Sequence, residues 1–229
     1  TNWNIVSYPG RAWAKQVFPD MSETDAIASL AKAIFSISRI DCDDPISAWR
    51  DHQLTLTERQ DWLNEKNFHS LHYKAPGTDF VLGLADGHEW KGGASTSLNG
   101  ISCTPNIPTE EVFTTPHSER AEGTVRASKP LVHMGTLIDG IEVRFEGGKI
   151  VEASAEIGEA VFLELLDTDE GASRLGEVAL VPHSSPISES GLLFYNTLYD
   201  ENASCHIALG QCYSKCFKGD IGNDKDAVA

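Results

Sequence analysis

The stretch Ile141–Glu156, IEVRFEGGKIVEASAE, reads as two short strands, Ile141 to Phe145 and Lys149 to Glu156. The turn Glu146-Gly147-Gly148-Lys149 joins them. Two central glycines supply the positive φ that a tight antiparallel hairpin requires. Working outward, Gly123 to Arg126 and Asp79 to Leu84 are further strand candidates. Downstream, Glu159 to Leu166 has the pattern of an amphipathic helix. Thr168 is expected to cap another helix reaching Glu177, and Asp200 a last one running to about Gly210. From Pro76 onward Gly, Pro, Ser and Thr are frequent.

Before Pro76 the pattern is richer in helix. Asn4 to Tyr8 reads as a buried strand and Arg11 to Phe18 as a short helix. Ser22 is an N-cap with Asp25 three positions on, ahead of Ile27, Leu30, Ile34 and Ile37. Asp44-Pro45 opens another helix, and Thr57 with Gln60 reads as the start of a separate one. The expected fold class is therefore mixed α+β. Residues 1–75 read as mixed α and β, rich in helix, and residues 76–229 as an α+β part with antiparallel strands.

The chain has 229 residues and a formal net charge of −16, with 41% hydrophobic residues. That composition suits a packed core and not a disordered chain. An acidic surface repels phosphate backbones, so a general nucleic-acid role is not expected. No apolar run approaches the roughly 20 residues of a membrane span. Five irregularly spaced cysteines and no signal-peptide pattern fit a reduced, cytoplasmic setting. P-loop, Gly-x-Gly-x-x-Gly, Gly-x-Ser-x-Gly and His-Glu-x-x-His patterns are all missing. His88-Glu89 lacks a second histidine and reads as a surface loop.

Three elements could carry chemistry. NIPTEEVFTTP (106–116) holds adjacent Glu110 and Glu111; in an extended chain they point to opposite sides, one toward a cavity and the other toward solvent. Such pairs are more often solvated than functional. In LGEVALVP (175–182), Glu177 leads an apolar run, so its carboxylate needs a partner. Arg174 and a metal ion are the two options. On a continuous helix, His206 and Tyr213, seven apart, would share a face. Cys205, Cys212 and Cys216 beside His206 are a poor zinc pattern, and nothing local supports Cys103 with His117 or His183 as a nucleophilic pair.

Together with EGTVR (122–126), LDTDEGA (166–172) and LFYNTLYDENASCH (193–206), these motifs resemble the aminopeptidase T and aminopeptidase S family, the thermophilic metalloproteases. The resemblance covers nearly the whole chain, from Tyr8-Pro9 and Phe18-Pro19-Asp20 onward. It implies that residues 1–75 are the remainder of an N-terminal α/β domain and residues 76–229 a metallopeptidase catalytic domain, C-terminally incomplete. It implies two divalent ions (zinc, cobalt or magnesium), peptide substrates and a homodimer, with neither membrane nor nucleic acid as partner. The implied metal ligands are Glu111, Glu177, His206 and Tyr213, with Glu110 and Tyr213 in catalytic roles. Glu110 is the candidate general base or amino-group anchor. The family's closing His-x-Asp motif is expected beyond Ala229, which makes the chain an internal fragment. The alternative expectation is an inert fragment that serves only as a folded or dimerising scaffold.

Overall fold

A computed structural model describes residues 2–218. The polar tail from Gly219 to Ala229 lies outside them. In chain order the first elements are α1 (Arg11–Val17), α2 (Glu23–Ile37), α3 (Pro45–Lys66), β1 (Ser70–Ala75), β2 (Thr78–Leu84) and β3 (Lys91–Gly92). Then come β4 (Ser95–Thr96), β5 (Ser102–Cys103), β6 (Val112–Thr114), β7 (Pro116–Arg126), β8 (Leu131–His133) and β9 (Thr136–Ile138). The remainder are β10 (Glu142–Glu146), β11 (Lys149–Ser154), α4 (Glu159–Leu166), β12 (Leu175–Leu180), α5 (Pro186–Ser190), α6 (Thr197–Asp200) and β13 (His206–Leu209). The fold is mixed α+β, as the sequence predicts.

The chain forms two compact units, each assembled from three segments. The first comprises residues 1–60, 92–112 and 180–205. Its core is helical. Ala26, Leu30, Ile34 and Ile37 recur on one face of α2 and pack with Ala14, Ile187, Phe194, Tyr199 and Ala203. Ser22 caps α2 as expected: its Oγ accepts the Asp25 N–H at 3.2 Å. Asp44 likewise receives the Ser47 N–H at 3.0 Å.

Two expectations fail in this unit. Asn4 to Tyr8 makes only a single parallel bridge, Ile5 to Asn106, and Asn4, Ile5 and Val6 are exposed. Thr57 opens no new helix, because α3 runs unbroken through it. Its hydroxyl bonds back to the Gln53 carbonyl at 2.8 Å, a mid-helix arrangement in place of a cap.

The second unit comprises residues 61–91, 113–179 and 206–229. It holds a five-stranded antiparallel sheet in the order β1-β2-β7-β10-β11. Phe80 and Phe145, both buried, meet across it with ring centroids 5.1 Å apart. The hairpin expected at Gly147-Gly148 is present, with φ of 54° and 77°. Gly123 has φ of 104°, and a Cβ there would lie 2.2 Å from the Asp79 carbonyl oxygen, so no larger residue fits.

A four-stranded sheet runs in the order β13-β12-β6-β3. Here the two late helices expected from sequence are corrected. Thr168 leads only into turns, and Glu177 lies within β12. Asp200 leads only into the single 3-10 turn Glu201–Ala203, without a side-chain cap, and no helix runs on to Gly210. Its carboxylate instead receives the Phe194 and Asn196 N–H groups at 2.7 and 2.9 Å, while Asn196 caps the short α6 by accepting from Leu198. His206 to Leu209 then pairs antiparallel with β12. The ladder satisfies their backbone groups, so local helix propensity does not decide the outcome.

Candidate metal centre

The four-stranded sheet brings three donors together. Glu177 lies on β12, His206 begins β13, and Glu111 immediately precedes β6. Each offers a ligand atom, and these atoms all lie within 4.8 Å of one another. Among the described residues this is the one cluster of three or more histidine, cysteine or acidic side chains with that spacing. His206 Nε2 stands 3.8 Å from Glu177 Oε1. Glu111 is buried, and the other two side chains are largely so.

A bulge sets the position of Glu177. Leu175 pairs with Leu209, but Glu177 pairs with Ala208, so Gly176 is the extra residue. A bulge re-aims the next side chain. Only glycine fits at this point: an added Cβ would meet the carbonyl oxygens of Gly210 and Gln211 at 2.4 and 2.6 Å.

Arg174, the non-metal partner considered for Glu177, is used elsewhere. Its Nη1 donates to the carbonyls of Ser118 at 2.7 Å and Gly147 at 3.2 Å.

His206 and Tyr213 do not share a helix face, because β13 ends at Leu209 and Gly210 turns the chain at φ of 93°. Tyr213 is half-exposed. Its ring meets Phe113 edge-on at 5.9 Å, and Lys215 Nζ lies 5.1 Å from its centroid. The cysteines form no part of the cluster. Cys205 Sγ contacts the backbone of Val181, while burial pushes the Cys212 and Cys216 thiols up.

Glu110 turns away from solvent as well as Glu111; the two are 2% and 6% exposed, so neither is the solvated member of the pair. Arg39 grips the Glu110 carboxylate in a bidentate pair, Nη1 to Oε1 at 2.5 Å and Nη2 to Oε2 at 3.0 Å. His52, also buried, contacts the Thr109 carbonyl through Nε2 at 2.6 Å. Burial pushes its imidazole below the ordinary value, with the Glu110 charge pulling the other way. Arg39, His52 and Asn202 meet the Thr109–Glu110 segment in space and not in sequence. Local patterns could not show them, since their partners lie 57 to 92 positions away. His88 is not a surface residue either: it is 5% exposed, with Nδ1 at 2.9 Å from the Ala85 carbonyl.

Two carboxylates and an imidazole are donor types that a divalent cation takes, and here they stand close enough to share one. Carboxylates this close repel one another, and a cation between them offsets that repulsion. The residues present therefore fit a metal ion. The chain belongs to the thermophilic metalloprotease (M29) family, whose model matches residues 1–229. It is 54% identical over 219 residues to aminopeptidase T of Thermus aquaticus, covering 96% of this chain and 54% of that protein. Aminopeptidase AmpS of Bacillus subtilis is 45% identical over 218 residues, covering 95% of this chain and 53% of that protein. The solved structure of wild-type AmpT from Thermus thermophilus superposes with a TM-score of 0.90 at 54% identity, over 96% of this chain and 54% of that one. The chain thus spans about half the length of the relatives it matches.

Proposed function

We propose that the complete protein is a metal-dependent aminopeptidase that releases N-terminal residues from peptides. The observation that carries this is the convergence of Glu111, Glu177 and His206 within 4.8 Å, in a chain whose relatives are named as aminopeptidases. Two divalent ions per subunit (zinc, cobalt or magnesium), a homodimer and a cytoplasmic setting belong to the same proposal. No helix among the described residues is long and apolar enough to cross a membrane.

Glu111, Glu177 and His206 would hold the metal. When bound, such ions supply Lewis acidity and lower the pKa of water toward neutrality. The carboxylates contribute the negative charge that keeps cations in place, and the imidazole adds a neutral donor. Tyr213 is assigned as a further ligand or as a hydrogen-bond donor to the oxyanion of the tetrahedral species. The cation–π contacts of Lys215 with Phe113 at 4.9 Å and Tyr213 at 5.1 Å keep positive charge beside that hydroxyl-bearing ring. Glu110 was the sequence candidate for general base or amino-group anchor. With both oxygens engaged by Arg39, it is better suited to holding its neighbour in place.

The test uses the complete protein with cobalt, zinc or magnesium. Two ions should bind per subunit, and amino-acid anilides should be hydrolysed. Glu177→Ala should lose both properties. Hydrolysis unchanged by that substitution overturns the proposal.

A further inference from the structure

The peptide just before Glu111 is gripped from three sides. From the C-terminal end of α2, Arg39 takes both oxygens of Glu110 at 2.5 and 3.0 Å. From α3, His52 Nε2 reaches the Thr109 carbonyl at 2.6 Å and lies 3.7 Å from Glu110 Oε1. From the turn at Glu201–Ala203, Asn202 Oδ1 accepts the Glu110 N–H at 2.7 Å. Asn202 is fully buried, and its Nδ2 donates to the Leu198 carbonyl at 2.9 Å.

Arg39 is itself held. It sits at φ of 56°, just past the end of α2. Its guanidinium carbon lies 5.9 Å from the Trp49 ring centroid, and the Trp49 indole N–H donates to the Ser38 carbonyl at 2.8 Å.

Stability alone is a poor explanation for this pair. The Arg39 and Glu110 side chains are 19% and 3% exposed. Taking two charges out of water costs about as much as their attraction returns, and apolar replacements of similar volume are often neutral. What a bidentate guanidinium–carboxylate pair does supply is direction. Here it directs the residue adjoining a donor of the cluster, at a point where Thr109 and the Glu110 N–H are also held.

We infer that Arg39 is a positioning residue: through Glu110, and with His52 and Asn202, it holds the Thr109–Glu110 backbone so that the Glu111 carboxylate is presented to a divalent cation. This rests on the reading of Glu111, Glu177 and His206 as metal donors. The hydrogen-bonded supports around a ligand typically contribute tenfold to a hundredfold in metal affinity.

The experiment titrates cobalt(II) into the complete, metal-free protein and follows the visible absorption of the bound ion. Thermal unfolding is recorded on each metal-free sample. Arg39→Lys keeps the charge but loses the fork. Arg39→Met with Glu110→Met removes the pair without leaving a lone buried charge, which keeps the protein folded. Arg120→Met, which breaks the exposed bidentate pair with Asp86, is the control. The double variant should melt within a few degrees of wild type yet bind cobalt about tenfold to a hundredfold more weakly, with an altered spectrum. Arg39→Lys should fall between the two, and Arg120→Met should match wild type. Wild-type affinity and spectrum in both Arg39 variants would overturn the inference alone. A wild-type protein that takes up no cobalt would remove the metal reading and this inference with it.

Discussion

Replacing Gly176 with alanine adds a single methyl group at the bulge beside Glu177. Gly176 is buried, and the new Cβ would stand 2.4 Å from the Gly210 carbonyl oxygen and 2.6 Å from that of Gln211. Ordinary contact begins near about 3.5 Å, so the 210–211 backbone must retreat by roughly 1 Å. That backbone is not free to move. The Gly210 N–H donates to the Arg174 carbonyl at 2.9 Å, and the segment continues β13 directly from His206 to Leu209. Forced overpacking of this kind costs about 1–3 kcal/mol. For a chain of this size that corresponds to a melting-temperature drop of roughly 2–12 °C. Because β13 carries His206, the same retreat should widen its 3.8 Å approach to Glu177 and weaken cobalt binding. Thermal unfolding by circular dichroism and a cobalt titration measure the two effects. A Gly176→Ala protein that melts and binds cobalt as wild type does would refute the argument that this bulge admits only glycine.

Two further outcomes follow from burial. The His88 imidazole is pushed below its ordinary value of 6.5, chiefly by burial, while the Ala85 carbonyl opposes the shift. The unfolded chain therefore takes up a proton at this histidine before the folded chain does. Stability contributed by neutral His88 is full above about pH 6.5 and is lost as pH falls below it. His88→Gln should flatten the slope of unfolding free energy between pH 5 and 6.5 in denaturant titrations; an unchanged slope would count against it. The Cys216 thiol is pushed up to about 11 by burial, whereas Cys42 is exposed. Iodoacetamide at pH 8 should alkylate Cys42 well before Cys216, since only the thiolate reacts, and peptide mass spectrometry would reveal the reverse order if the reasoning failed.

Much of the local structure is legible in the sequence because its causes are local. Ser22 and Asp44 act as helix caps where their side chains can reach the N–H three positions on. Gly147 and Gly148 turn the hairpin because both take positive φ. The two late helix expectations fail for one reason. LGEVAL and HIAL become neighbouring strands because each supplies the other's backbone partners. A window containing only one of them cannot register that. Thr57 resembles a cap by pattern, but α3 continues through it and its hydroxyl turns back to Gln53.

The same division runs through the site. The sequence by itself determined the family, through its ordered motifs, and the resemblance pointed to Glu111, Glu177, His206 and Tyr213 as candidate ligands. It also determined that Gly176 precedes Glu177, though not why. Only the tertiary structure decided that the three donors converge, that a bulge aims Glu177, and that Arg39 takes Glu110. Convergence depends on the pairing of β12 with both β13 and β6, strands far apart in the chain, and Arg39 reaches Glu110 across 71 positions. Burial of charge is likewise a property of the packed chain: Glu110 and Glu111 are adjacent and chemically identical, and only their neighbours in space give one an arginine and set the other beside Glu177 and His206.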